Sequence, residues 1–305
     1  MHKDPFVSVV MNVWNRATIV GDSIESILGQ TYKNIELIIV DDGSTDNTKS
    51  VVEAFRDSRI RFFPRPHLGL VASANFGIAQ AQGKYIARLD SDDLSSSDRI
   101  QEQVAALEND SSAVMCYTDF SVFGENAHDL KHGRFVRNSM LIALKMCFVC
   151  PLYHTTVMYR RDAINRVGGY LPATPVAEDY NLYTRLISEG PFIGLPKKLV
   201  SVRLHGTSAT QQNLATMKQL TQEIAVNHAK SFFHFSETQA RNNYANFNSP
   251  FNRRNLGLWV GFCFKILSFR KCWQLELLAW MASQSLRILF SKIAAIFSPK
   301  NSNAG

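Results

Sequence analysis

The sequence predicts an α/β fold with a mostly parallel central sheet flanked by helices, followed by a C-terminal helical extension. Two observations carry the prediction. Short, nearly all-apolar runs at Phe6 to Met11, Ile35 to Val40, Ile60 to Phe63 and Lys84 to Leu89 alternate with helical stretches. Strands that are apolar on both faces belong to sheets covered on both sides. The acidic clusters Asp41-Asp42 and Asp90-Ser91-Asp92-Asp93 each directly follow one of these runs. That places them at the carboxyl ends of strands, where open α/β sheets bind ligands.

The elements follow in order. FVSVVM leads into the turn-like NVWNR, and residues 18–29 set Ile19, Ile24, Ile27 and Leu28 on one helical face. After the second strand, DDGSTD precedes a helix over 46–56, with Ser44 or Thr45 as its expected N-cap. Residues 70–81 are a small-residue helix before Gly83, and a helix from about Ser97 carries Ile100, Val104 and Leu107. Farther on, 113–123, 155–159 and 198–204 read as strands and 125–138 as a polar loop. Residues 178–189 read as a helix, and 212–235 as a long one with Leu214, Met217, Leu220, Ile224 and Ala225 on one stripe. Asn-rich residues 241–254, which include Pro250, are read as a linker. The expected organisation is a main α/β domain over 1–210, a helical region and linker over 211–250, and a basic apolar tail over 251–305.

Composition narrows the class. Apolar residues make up 46% and charged residues 19% of 305, which suits a globular chain with a sizeable core rather than a disordered one. The net charge of +7 arises in residues 251–305, where eight basic side chains stand against Glu276 alone. Cys116, Cys147, Cys150, Cys263 and Cys272 are odd in number and irregular in spacing, so a reducing compartment is expected rather than a disulfide framework. Cys147 and Cys150 form a CxxC, but no second pair or His cluster completes a zinc site, and they read as small buried hydrophobes. MHKDPF runs straight into a strand with no apolar signal core, so no secretory signal is expected.

Three carboxylates within DSDD repel one another and call for a cation. Asp90 and Asp92 alternate, so both can face one side of an extended turn and grip a hard divalent ion, Mn²⁺ or Mg²⁺. The competing reading is a set of solvated acids favoured by a helix N-terminus. A calcium EF-hand is excluded, because the twelfth position from Asp90 is Gln101. Asp41 is either part of an Asx turn and helix cap or a strand-end acid that hydrogen-bonds a nucleotide. No GxGxxG or GxxxxGK[ST] string is present, so neither a dinucleotide fingerprint nor a P-loop is supported. Arg88, directly before DSDD, can reach phosphate or pair with Asp90.

The strings VSVVMNVWNRATIVGDSIESILGQTYKNIELIIVDDGSTDNT and HLGLVASANFGIAQAQGKYIARLDSDDLSSSDRI resemble glycosyltransferase family 2, inverting sugar transferases of the GT-A fold. The likeness resumes more loosely at HTTVMYRRDAINRVGGY, AEDYNLYTRL and VSVRLHG. It implies that Asp41 contacts the uracil base with Val13 and Asn15 nearby, that Asp90 faces the ribose, and that Asp92 takes the metal. It further implies that Asp179 of the Glu178-Asp179 pair is the catalytic base. Arg203 and His205 would close over the diphosphate, while His154 either shapes the acceptor side or is structural. The family commonly has Pro where this chain has Asn12. The donor implied is a nucleotide sugar, with a UDP-sugar expected, and the acceptor a glycan or lipid-linked precursor.

The tail bears on partners. Residues 256–269 are too short to span a bilayer as a helix, and 275–297 are interrupted by Glu276, Arg287 and Lys292. Leu275, Ala282, Leu286, Leu289, Ile293 and Phe297 share one helical face, so residues 255–297 suit peripheral contact at a membrane interface. Packing on the catalytic domain is the alternative. A cytoplasmic location at the inner face of the cell membrane follows as an expectation. No nucleic acid is expected, since no binding module accompanies the charge. The rival functions are a sugar nucleotidyltransferase, which should carry a Gly-rich phosphate loop where this chain has NVWNRAT, and a non-catalytic membrane-associated nucleotide-binding protein.

Overall fold

Four parallel strands build the half of the sheet that the apolar runs foretold. In the computed structural model, which describes residues 4–125, 127, 135–204 and 214–248, β1 (Val7–Val13) lies parallel between β2 (Ile35–Asp41) and β4 (Tyr85–Arg88). Strand β3 (Ile60–Pro64) continues in parallel beyond β2. The other half is mixed. Strand β4 pairs antiparallel with β7 (Val157–Arg160), β7 antiparallel with β6 (Met115–Gly124), and β6 parallel with β8 (Phe192–Leu204). The two-residue β5 (Leu94–Ser95) pairs with β8, giving the order β3-β2-β1-β4-β7-β6-β8-β5.

Every residue of β1 and β2 is buried, as expected of strands covered on both faces. Val7, Val9, Met11 and Val13 belong to the same core cluster as Ile24 and Ile27 of α1 (Val20–Leu28) and Ile100, Val104 and Leu107 of α4 (Arg99–Asn109). Helix α3 (Leu70–Gln80) packs against β1 through Gly77, where a Cβ would lie 2.5 Å from Val10 Cγ1. Only a hydrogen fits there, so the helix approaches the strand at backbone distance.

Several elements differ from the sequence reading. Helix α2 spans Thr48–Ala54, and neither expected cap holds its start. The Asp46 carboxylate instead accepts from Thr48 N–H at 2.9 Å, while Ser44 is bonded to Asp41. Strand β8 begins at Phe192, six residues early. Its polar Pro-Lys-Lys stretch falls at register shifts opposite Asp119, a bulge that tolerates a residue without an N–H. Short helices α5 (Ser139–Lys145) and α6 (Arg161–Arg166) were not expected. Helices α7 (Glu178–Glu189) and α8 (Leu214–Phe233) fall where the periodicity put them. The Asn-rich stretch read as linker is helical as far as Phe247, in α9 (Glu237–Phe247). There a capping box between Ser236 and Gln239 supplies the start that Asn-rich composition concealed.

The chain divides into two compact units, Met1–Ser139 with Cys150–Ile224, and Met140–Val149 with Ala225–Gly305. Within the second, His228 Nε2 donates to the Ala143 carbonyl at 2.8 Å and Phe148 stacks on Phe247. Among the described residues no helix is long and apolar enough to cross a membrane. The tail, 251–305, lies outside the described residues.

Candidate active site

The ends of β1 and β2 bring Val13 and Asp41 side by side in register. Asp41 Oδ1 accepts from Ser44 N–H at 2.9 Å and Ser44 Oγ at 2.6 Å. Asn15, at φ 51°, accepts from Thr45 N–H at 2.8 Å, and its own N–H donates to Ser44 Oγ at 2.9 Å. Asn tolerates that left-handed backbone because its short side chain bonds locally, and here it joins the loops after β1 and β2. Asp42 fixes a third loop. Its carboxylate accepts from Leu68 N–H, Gly69 N–H and Ser73 Oγ at 2.9, 3.0 and 2.7 Å. Gly43, at φ 75°, passes so near His67 that a Cβ would lie 2.6 Å from its nitrogen. Trp14 then stacks on His67 with centroids 4.8 Å apart, and is 49% exposed. The buried Asn12 amide donates to the Leu70 carbonyl at 3.2 Å, while its Oδ1 is buried without a partner.

The acidic loop rests on two buried arginines. Arg88 donates to the Val10 carbonyl and to Asp90 Oδ1, both at 2.9 Å, so the pairing with Asp90 is the one formed. Burial opposes its charge, but Asp90 foremost and other nearby groups hold the guanidinium above its ordinary value. Arg99 donates to the Arg88 carbonyl at 2.8 Å and to Gln103 Oε1 at 3.0 Å, and burial lowers it to about 10. Asp90 N–H donates to Thr155 Oγ1 at 3.2 Å. Arg203, near the end of β8, ties the loop from the other side. Its N–H donates to Asp93 Oδ1 at 2.9 Å, Nε to the Asp92 carbonyl at 3.0 Å, and a terminal nitrogen to Asp22 Oδ2 at 2.9 Å. Asp93 is buried, and burial together with Asp90 and Asp92 pushes its carboxyl well up. The Asp90 and Asp92 side chains keep 36% and 20% exposure.

Glu178 and Asp179 open α7. Burial raises both carboxyls; the Asp179 charge adds to the rise at Glu178, and the Asp90 charge adds to it at Asp179. A bond of 2.6 Å from Tyr180 N–H to Asp179 Oδ1 works in the other direction. The acidic loop and the helix start therefore lie within electrostatic reach of each other. His154 bonds the Tyr170 hydroxyl through Nε2 at 2.6 Å, with Nδ1 4.0 Å from Glu178 Oε1. Burial, aided by Arg88, lowers its ring to about 3, so this is a neutral imidazole beside the acid and not an ion pair. Tyr170 is clamped through both backbone polar groups by Asn75, at 2.9 and 2.8 Å.

The structure thus gathers Arg88, Asp90, Asp92, Arg203, His154, Glu178 and Asp179 around the acidic loop and the start of α7, with Val13, Asn15 and Asp41 at the ends of the neighbouring strands. His205 lies outside the described residues. Sequence reasoning missed Trp14, Arg16 and the Asn75–Tyr170 clamp. An exposed aromatic in a strand-end turn was the available signal for Trp14, whereas the clamp spans ninety-five residues and leaves none. Among the described residues no three His, Cys, Asp or Glu side chains converge as a metal cluster, and Cys116, Cys147 and Cys150 are free thiols.

Residues 8–168 match the family model described as glycosyl transferase family 2. The chain belongs to glycosyltransferase family 2. A Haemophilus influenzae protein called an uncharacterized glycosyltransferase is 32% identical over 222 residues, 69% of each chain. The putative glycosyltransferase EpsE of Bacillus subtilis is 36% identical over 196 residues, 62% of this chain and 69% of that one. The chain spans about a third of the length of two Rickettsia relatives and 23% of the chondroitin synthase of Pasteurella multocida, to which it is 27% identical. The S. aureus TarS structure with UDP-GlcNAc superposes with a TM-score of 0.65 at 17% identity, over 84% of this chain and 75% of that one. The Pyrobaculum calidifontis mannosyltransferase PcManGT, with GDP-Man and Mn²⁺, gives 0.58 at 16% identity, over 98% and 89%. The family 2 chain is a glycosyltransferase, and its curled α/β sheet is the GT-A fold.

Proposed function

We propose that this enzyme moves a hexosyl or N-acetylhexosaminyl unit from a UDP-sugar to an acceptor hydroxyl in one inverting displacement that depends on a divalent cation. The observation that carries the reading is the placement of Asp179. Its carboxyl, raised by burial, lies within reach of the Asp90 charge at the edge of the acidic loop. One side chain can thus take a proton close to where the donor's charge would be held.

In this reading Val13, Asn15 and Asp41 frame the base, with Asp90 toward the ribose. Asp179 accepts the acceptor's hydroxyl proton as its oxygen forms a bond to the anomeric carbon. The anomeric carbon's bond to the diphosphate breaks in the same step, and the electron pair leaves with the diphosphate. Attack opposite the leaving group inverts the centre, and no enzyme nucleophile is needed. Glu178, held largely protonated by burial, keeps a second negative charge away from the base. His154, neutral on Tyr170, lines the acceptor side, while Arg203 and His205 belong at the diphosphate.

The donor set fits a cation. Asp90 and Asp92 remain partly exposed on one loop, and their charges add to burial in raising the Asp93 carboxyl. One or two carboxylates completed by phosphate oxygens is how Mg²⁺ and Mn²⁺ are commonly held. Asp92, with Asp90 beside it, would hold the ion, which when bound stabilises charge on the leaving diphosphate.

Titration calorimetry with UDP, GDP and CDP, with and without Mn²⁺, tests this on the wild type and Asp92→Asn. Mn²⁺-dependent UDP binding that the variant loses supports it; preference for GDP or CDP moves the donor, and binding indifferent to Mn²⁺ rejects the metal. The acceptor we infer is a lipid-linked or cell-surface glycan precursor met at the inner face of the cell membrane, through peripheral contact by basic apolar residues 255–297. Co-sedimentation with phosphatidylserine vesicles but not phosphatidylcholine vesicles is expected; equal partition to neither removes this contact.

A further inference from the structure

Arg16 stands in the loop between β1 and α1, and the chemistry above gives it no role. Its backbone is structural: the N–H donates to Thr48 Oγ1 at 2.8 Å, and the carbonyl accepts from Ile19 and Val20 N–H at 3.0 Å. Its side chain is held differently. Nε lies 3.8 Å from Asp92 Oδ2, and a terminal nitrogen reaches the Asn15 carbonyl at 3.3 Å. Both members of the ion pair are partly exposed. A separation of 3.8 Å is an ion pair without a hydrogen bond, and partly exposed pairs of this kind are weak.

Among the described residues, the other guanidiniums around the acidic loop are locked in place. Arg88 and Arg99 are buried and bonded to backbone carbonyls, and Arg203 reaches both Asp22 and the Asp92 carbonyl. Arg16 is therefore the loosely held cation among them. It neutralises the same carboxylate that the proposed divalent ion requires.

We propose that Arg16 is a donor-binding residue that exchanges partners, holding Asp92 before the donor arrives and turning to the donor's diphosphate once a divalent cation takes Asp92. The inference rests on the nucleotide-sugar reading with Asp92 as a cation ligand. Two cations at contact distance on one carboxylate repel each other, so the ion displaces the guanidinium. The diphosphate that completes the ion's shell must lie against Asp92. A guanidinium 3.8 Å from that carboxylate is within a side-chain rotation of the same anion, and its planar fork suits phosphate oxygens. The cation alone must evict Arg16, whereas cation and diphosphate together give it a new partner. Their binding is therefore cooperative.

Calorimetry reads both halves. Mn²⁺ alone, then UDP and GDP at saturating Mn²⁺, are titrated into wild type, Arg16→Gln and Arg16→Lys. Because the structural bonds of Arg16 come from its backbone, both variants should fold, and thermal melts followed by circular dichroism check this. Arg16→Gln is expected to bind Mn²⁺ alone about 3-fold more tightly, as a weak competing ion pair is removed. It should bind the nucleotide that the wild type prefers about 10-fold more weakly, as a charge-assisted contact is lost. Arg16→Lys should recover part of the nucleotide affinity. An Arg16→Gln protein that binds Mn²⁺ no more tightly, or keeps wild-type nucleotide affinity, overturns the exchange. Wild-type nucleotide binding that is indifferent to Mn²⁺ overturns it while leaving the donor reading intact. Absence of any nucleotide binding by folded wild type overturns both.

Discussion

Two sets of carboxylates beside the sheet are treated in opposite ways. At the ends of β1 and β2, Asp41 and Asp42 are ringed by donors: two from Ser44 on the first, and Leu68, Gly69 and Ser73 on the second. In the loop after β4 and at the start of α7, Asp93, Glu178 and Asp179 are pushed toward their protonated forms, chiefly by burial. The residue type is shared; what differs is that burial and neighbouring acid charges outweigh the donors on the second set, even at Asp93, which accepts from Arg203 N–H and Thr155. Acids that brace loops through their donors are structural, and acids crowded by burial and like charge hold their own charge under strain. Strained acids are the ones suited to proton transfer near neutral pH.

Asp179→Asn should break this contrast with the largest effect. It removes the proposed base while keeping shape, so the transfer rate should fall by roughly 10²–10⁴-fold, the range for a lost general base. Nucleotide affinity measured by calorimetry should stay near wild type. A variant that still transfers sugar at the wild-type rate would put Asp179 in the same structural class as Asp42.

Asp42→Ala is the complementary experiment. Leu68 N–H, Gly69 N–H and the Ser73 hydroxyl would all lose their acceptor, in a part-buried setting. At ~1 kcal/mol or more per unsatisfied donor, the cost is about 3 kcal/mol, which for a domain of this size lowers Tm by roughly 6–12 °C. A thermal melt checks it. A drop of less than about 2 °C would show that the donors find water and that Asp42 is not the clamp.

The strained acids also tie the stability of the fold to pH. Glu178 and Asp179 hold protons more tightly in the fold than in the unfolded chain. From about pH 4, where unfolded carboxyls ionise, up to the raised folded values, the fold keeps protons that the unfolded chain has released. Stability therefore falls as pH rises through that window. The transfer rate moves the other way, because the base must be ionised. Tm should fall between pH 5 and 8 while kcat rises, and Glu178→Gln should flatten the Tm slope. An unchanged slope in that variant would mean that burial of Glu178 carries no proton-linked cost.

The same contrast marks how much the sequence revealed. The parallel half was legible because unbroken apolar runs such as IELIIV can only be strands covered on both faces, and the acidic clusters follow them directly. The mixed half was harder. Pro196 and Lys197 sit at a bulge in β8, and polar residues at a bulge look like a loop. Of the site, Asp41, Asp90, Asp92, Glu178 and Asp179 stood out because they cluster along the chain. The partners that set their state did not: Arg203 meets Asp93 across 110 residues, and Tyr170 meets Asn75 across ninety-five. Pairing of β5 with β8 creates the first contact and packing of α3 against the turn after α6 the second, and no local pattern encodes either.

Trp14 offers the smallest effect and the finest sharpening. It lies beside the donor-saturated acids, half exposed and stacked on His67. An exposed aromatic pair next to a strand-end acid is available to a planar base. If the parallel half binds the nucleotide through preformed loops, Trp14→Ala should weaken UDP by roughly 2- to 10-fold, the worth of one aromatic stack, with kcat at saturating donor unchanged. If Trp14 only braces His67, Trp14→Ala should lower Tm instead and leave UDP affinity alone. His67→Ala separates these cases: it removes the brace but leaves the indole, so only a role in bracing would make the two variants behave alike in a thermal melt while both bind UDP normally.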